Sequence, residues 1–145
     1  MAQTKSKERV RKYGEVFTGQ KTVDEMCDML EAEDMFQPSA TYLEPACGEG
    51  VFVLEILRRK FARCKSRGDF TVALKSVYAM DILADNVETT IQNVIALCDQ
   101  YFEPTKAEMK IINDHIIQAD SLKIMKMMNE CPNCGADMTG GDGNG

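Results

Sequence analysis

Long apolar runs are absent from this sequence, and with them any candidate for a membrane-spanning helix. The N-terminal stretch "MAQTKSKERV" has no hydrophobic leader core, so the chain is expected in the cytoplasm. Histidine occurs once, at His115, inside an apolar pattern where a partly buried, satisfied ring is the expectation. Proline occurs four times, at Pro38, Pro45, Pro104 and Pro132, never as an adjacent pair. There is no internal repeat. Basic residues are the minority, 17 against 23 acidic ones, for a net charge of −6. An acidic surface repels phosphate backbones, so the body as a whole is not expected to bind nucleic acid. Basic residues gather only in Lys5–Lys12 and Arg58–Arg67, which read as solvated helix faces or as a local DNA contact.

What is present is an ordinary globular composition, 44% hydrophobic and 28% charged over 145 residues, enough for one domain with a core. The six cysteines, at positions 27, 47, 64, 98, 131 and 134, mostly fall inside apolar patterns, where they are expected to pack as small hydrophobes rather than form disulfides. "TVDEMCDMLEAEDMF" places Val23, Met26 and Leu30 at helical spacing, with acidic residues near its start. "ATYLE" reads as a strand. From Val51 a helical face runs through Leu54, Leu57, Phe61 and Cys64 to an end near Gly68. "SVYAMDI" is a second strand. "ADNVETTIQNVIALCDQYF" carries Val87, Ile91, Val94, Cys98 and Phe102 on one stripe, and "DHIIQAD" is a third strand. This alternation predicts an α/β fold with a parallel sheet and right-handed crossovers.

In such a sheet, ligands lie outside the carboxyl ends of the strands. Those ends are "EPACGEG", Asp81 and Asp120. Gly48 and Gly50 allow close backbone approach, and the helix that follows offers free N–H groups. Asp81 is an acceptor where a ribose diol would lie, and Asp120 could accept from an exocyclic amine. Each is also a common turn or capping residue, which is the favoured reading for any one alone, whereas three such turns in register favour a ligand. A dinucleotide is not favoured, because Val53 stands where the third glycine of G-x-G-x-x-G would be. Glu44 and Asp81 would repel phosphates and suit a cationic, phosphate-free nucleoside such as S-adenosylmethionine.

These residues resemble a known family, the adenine-N6 DNA methyltransferases of restriction–modification systems, in the arrangement with the cofactor-binding half first. "RKYGEVFTGQKTVDEMCDML" is similar to that family's opening motif; by resemblance Tyr13, Gly14, Phe17 and Thr18 contact the methionine part of the cofactor. Where the family usually has proline after the threonine, this chain has Gly19. "LEPACGEGVF" resembles the glycine motif, which implies that Glu44, Pro45, Ala46, Cys47, Gly48 and Gly50 line the methionine and ribose. "YAMDI" resembles the next motif, with Asp81 on the ribose hydroxyls and Ile82 against adenine. "IIQADSLK" resembles the third, with Asp120 reading the adenine amino group and Ser121 beside it. The likeness spans about residues 5 to 125 and implies a Rossmann-like, S-adenosylmethionine-dependent methyltransferase fold, truncated after the third sheet motif.

The family's catalytic tetrapeptide, [Asn/Asp]-Pro-Pro-[Tyr/Phe], has no counterpart among these residues. Adenine N6 is a poor nucleophile because its lone pair is delocalised into the ring. The tetrapeptide accepts its hydrogens, and its aromatic residue stacks on the flipped base. The corresponding region reads "IMKMMNECPNCGADM". The chain alone is therefore expected to be catalytically inactive, with no catalytic residue of its own. DNA would be met through a missing or separate catalytic and target-recognition half. The alternative is an inactive remnant acting as a binding or interaction protein.

Three segments follow: residues 1–40 with the opening motif and helix, 41–123 as the Rossmann-like core, and 124–145 as an apolar segment and tail. The tail holds five of the ten glycines in its last eleven residues and is not expected to build a core. Its "CPNCG" supplies Cys131 and Cys134 at the spacing of a zinc knuckle, but no second C-x-x-C completes four ligands. The expectations are zinc shared between two chains, as in a homodimer, zinc completed by a missing segment, or an unmetallated tail. The apolar residues Ile124, Met125, Met127 and Met128 are expected to cover an exposed sheet edge as a helix or strand, or to pair two chains there.

Overall fold

The structure is a computed structural model that describes residues 18–129. Tyr13, Gly14, Phe17, Cys131, Cys134, the basic stretch Lys5–Lys12 and the glycine-rich tail lie outside the described residues. In chain order the elements are α1 (Gln20–Ala32), β1 (Tyr42–Glu44), α2 (Val51–Arg63), α3 (Arg67–Lys75), β2 (Val77–Asp81), α4 (Ala84–Asp99), α5 (Lys106–His115), β3 (Ile116–Gln118) and α6 (Ser121–Met128). The three strands form a parallel sheet in the order β1-β2-β3, with Leu43 opposite Tyr78 and Met80 opposite Ile117. The chain is thus α/β with a small parallel sheet. Among the described residues no helix is long and apolar enough to cross a membrane.

Among the described residues, helices cover one face of the sheet. Along β2, Val77, Ala79 and Asp81 are buried while Tyr78 between them is exposed. Helices α2, α3, α4 and α5 all pack on β2, and their buried residues join Val77, Ala79 and Ile116 in one core. The opposite face carries Leu43, Tyr78 and Ile117, all exposed. His115 closes α5 rather than lying within a strand. Its ring stacks on Tyr78 with centroids 4.3 Å apart, and Nδ1 lies 3.3 Å from the Val77 carbonyl.

Two helices, α3 and α5, were not expected. The helix from Val51 stops at Arg63, and Ser66 starts α3 by accepting a bond from the Asp69 N–H. Thr105 and Glu108 form a reciprocal capping box at the start of α5, where the sequence suggested only a helix end before Pro104. Burial along α2 falls on Val53, Ile56, Leu57 and Phe61, with Leu54 and Cys64 only partly buried. In α1 the buried residues are Val23 and Cys27; Met26 is exposed, and no acidic residue lies in the first turn. Cys27, Cys47, Cys64 and Cys98 are free thiols, and burial pushes Cys98 up to about 12 and Cys47 up to about 11.

Within the basic run, Arg58, Lys65 and Arg67 are exposed, while Arg59, Lys60 and Arg63 are tied into the protein. Arg59 bonds Glu55 of its own helix and Asp28 of α1, each at 2.8 Å, and Arg63 pairs with Glu31 and Asp34. These contacts fasten α1 to α2. Lys60 is fully buried, and its amine donates to the carbonyls of Gln37 (2.7 Å), Pro38 (3.1 Å) and Ala40 (2.5 Å). Burial pushes this amine down to about 8. The lysine thereby satisfies the backbone that leads into β1, where Tyr42 stacks on Phe36 at 5.7 Å.

Glu108 is the corresponding buried acid. Burial pushes its carboxyl up, but the Thr105 N–H, the Thr71 hydroxyl and Arg67 together hold it below the ordinary 4.5. A folded-state value below the unfolded one gives stability that is complete above the unfolded value and is lost as pH falls through the folded one. Glu108→Gln is expected to cost about 1–2 kcal/mol at neutral pH, the half-exposed Arg67 limiting the loss. The deficit should shrink below pH 4.5. Denaturant titrations of both proteins at neutral and acid pH measure this, and a pH-independent deficit would refute the role of the charge.

Candidate functional site

The carboxyl ends of β1 and β2 meet through hydrogen bonds around the glycine turn. The Cys47 N–H donates to Met80 O at 2.9 Å, drawing the turn beside β2. Gly48 N–H donates to Asp81 Oδ2 at 2.9 Å. From α4, the Thr90 hydroxyl donates to Gly48 O at 2.8 Å and Asn93 Nδ2 to Glu49 O at 3.1 Å. Gly48 has φ 54° and Gly50, the residue before α2, has φ 94°, both in the left-handed region. Thr90 lies directly behind Gly50, so a side chain there would meet it. Thr90 and Asn93 were not among the sequence candidates. Their only sequence signal is polarity on the largely apolar inner side of α4, which they share with buried Asn86.

Asp81 is buried at the end of β2. Besides Gly48, it accepts from the Leu83 N–H at 2.9 Å and from Asn86 Nδ2 at 3.3 Å. A carboxylate offers about four lone-pair sites, so most of its capacity holds the protein's own turn. Glu44 is only partly buried, and its Oε1 accepts from the Ala46 N–H at 3.1 Å. Burial pushes the Glu44 carboxyl up, the Ala46 bond pulls it back, and Asp81 adds to the rise. A cation placed beside it would favour the charged form.

At the end of β3, Asp120 caps α6, accepting from the N–H groups of Leu122 (3.1 Å) and Lys123 (3.2 Å) through Oδ1. Ser121 opens that helix. Ile82 is exposed just past β2, and Gln118 Nε2 donates to its carbonyl at 3.1 Å. Pro45 and Ala46 are exposed on the turn, while Thr18 is exposed two residues before α1. Glu44, Cys47, Gly48, Gly50 and Asp81 thus form one connected cluster, with Ile82 next to it. Among the described residues no group of three or more histidine, cysteine or acidic side chains is placed to hold a metal ion.

Comparison of the chain with protein-family models, with curated proteins and with solved structures finds no match.

Proposed function

We propose that this chain is the S-adenosylmethionine-binding part of an adenine-N6 DNA methyltransferase. Methyl transfer and DNA reading would come from a half carrying the [Asn/Asp]-Pro-Pro-[Tyr/Phe] segment. The observation that carries the reading is the Gly48–Asp81 bond at 2.9 Å, which joins the glycine turn of β1 to the acidic end of β2. In the proposed complex Glu44, whose charged form is disfavoured by burial, faces the sulfonium and would regain that charge beside it. The remaining acceptor site of Asp81 takes a ribose hydroxyl. Ile82 supplies an apolar wall for adenine, and Asp120 accepts from its amino group through Oδ2. The rival reading, an interaction protein with a methyltransferase-like body, draws on the engagement of Asp81 and Asp120 within the protein itself.

Calorimetric titration with S-adenosylmethionine separates the two. Binding is expected, and Glu44→Gln should weaken it by roughly 10- to 100-fold through loss of the charge opposite the sulfonium. Glu44 is a cleaner probe than Asp81, whose removal would also free the turn. Absence of binding by the folded wild-type chain would eliminate the methyltransferase reading and leave the rival.

A further inference from the structure

We propose that Asn93 is a positioning residue of the candidate site, fixing the direction of the Glu49–Gly50 peptide and so the surface that the glycine turn offers a ligand. The inference rests on the reading of that turn as an S-adenosylmethionine site. Turning a peptide plane over changes ψ of the residue before it and φ of the residue after it by about half a turn each. Glycine accepts φ of either sign at little cost, so the peptides that turn over cheaply are those that precede a glycine. This turn has two of them, Cys47–Gly48 and Glu49–Gly50, with φ of 54° at Gly48 and 94° at Gly50. Backbone sterics therefore leave the direction of both peptides open. Hydrogen bonds decide it.

The Gly50 N–H donates to Cys47 O at 2.8 Å, a bond that the two peptides share. Beyond it, each has one side-chain fastener. Asp81 takes the Gly48 N–H, and Asn93 Nδ2 donates to Glu49 O at 3.1 Å. Thr90 holds the peptide between them, but it is fully buried behind Gly50 and so fills the core as well. Asn93 differs. It is only partly buried on α4, and the Glu49 carbonyl is its side chain's hydrogen-bond partner among the described residues. Its contribution is therefore the direction of one peptide, the one that leads into α2.

Calorimetric titration of the full chain with S-adenosylmethionine is the test, with circular dichroism to show each variant folded. Asn93→Ala removes the donor, which water replaces in part, so binding should weaken by roughly 3- to 10-fold. Asn93→Asp keeps the shape but sets a carboxylate against the Glu49 carbonyl, and should weaken binding by roughly 10-fold or more. Charge alone predicts the opposite, because a new anion near a sulfonium attracts it. At acid pH the introduced carboxyl regains its hydrogen and can donate again. The ratio of variant to wild-type dissociation constants should then fall toward one as pH drops through about 4–5. Protonation of the site's own carboxyls is common to both proteins and cancels in that ratio. Asn93→Asp binding as tightly as wild type or more tightly, or a ratio independent of pH, would overturn the inference and leave the reading of the site in place. A folded wild-type chain that takes up no S-adenosylmethionine would overturn both.

Discussion

Phe61→Ala is expected to lower the unfolding free energy by about 3–5 kcal/mol, the range for emptying a buried aromatic site. Phe61 is 2% exposed, near the end of α2. Its ring lies 5.4 Å from Phe70, 5.3 Å from Tyr101 and 5.5 Å from Phe102, centroid to centroid. Those partners come from α3 and from the segment after α4, so one ring joins three stretches of chain. The tilted and edge-on geometries add to the burial, because the ring edges meet neighbouring faces. Relaxation cannot close the space cheaply, since Phe70 and Phe102 are already in contact at 4.6 Å. Domains of this size are stable by about 5–15 kcal/mol, so the variant should unfold at clearly lower urea. A loss under about 1 kcal/mol would show that this cluster is not the centre of the core.

Gly50→Ala should cost about 2–4 kcal/mol, from two sources that can be separated. The first is backbone: φ of 94° is strained for any residue with a side chain. The second is space: an added Cβ would lie 2.9 Å from Thr90 Cγ2 and 3.2 Å from its Oγ1. Thr90 cannot swing away freely, because its hydroxyl is bonded to Gly48 O and the residue is fully buried. In a Thr90→Ser background the methyl is gone and the hydroxyl remains. The cost of the alanine should then fall by about 1 kcal/mol, leaving the backbone part. Denaturant midpoints of the four proteins in this cycle provide the measurement. Equal costs in both backgrounds would assign the whole effect to φ.

The strands, the long α4 and the glycine turn were legible because each follows a short-range rule: alternation, a 3.6-residue stripe, or glycine between strand and helix. Helices α3 and α5 were not, since α3 opens with Gly68 near its start and each buries only two side chains. The Thr105–Glu108 signature is present in the sequence, but the neighbouring Pro104 is equally a signal for the end of the preceding helix. The fate of the basic run depends on acids of α1 about thirty positions away in sequence, such as Asp28 for Arg59. No local pattern encodes that. Asp81 and Asp120 were legible as strand-end carboxylates, but where they point was not. Asp81 turns to Gly48, and Asp120 turns to the first N–H groups of α6.

The glycine turn also bears on how its flexibility is distributed. Residues 47, 48 and 50 each donate their N–H within the protein, and the carbonyls of Cys47, Gly48 and Glu49 each accept a hydrogen bond. Opening the turn therefore means breaking contacts to both β2 and α4. It belongs to the same cooperative unit as the core, unlike most surface loops. A ligand arriving there meets a backbone whose conformational entropy was already lost on folding. Its affinity is then governed by contacts and desolvation, with little further ordering of the loop to oppose it.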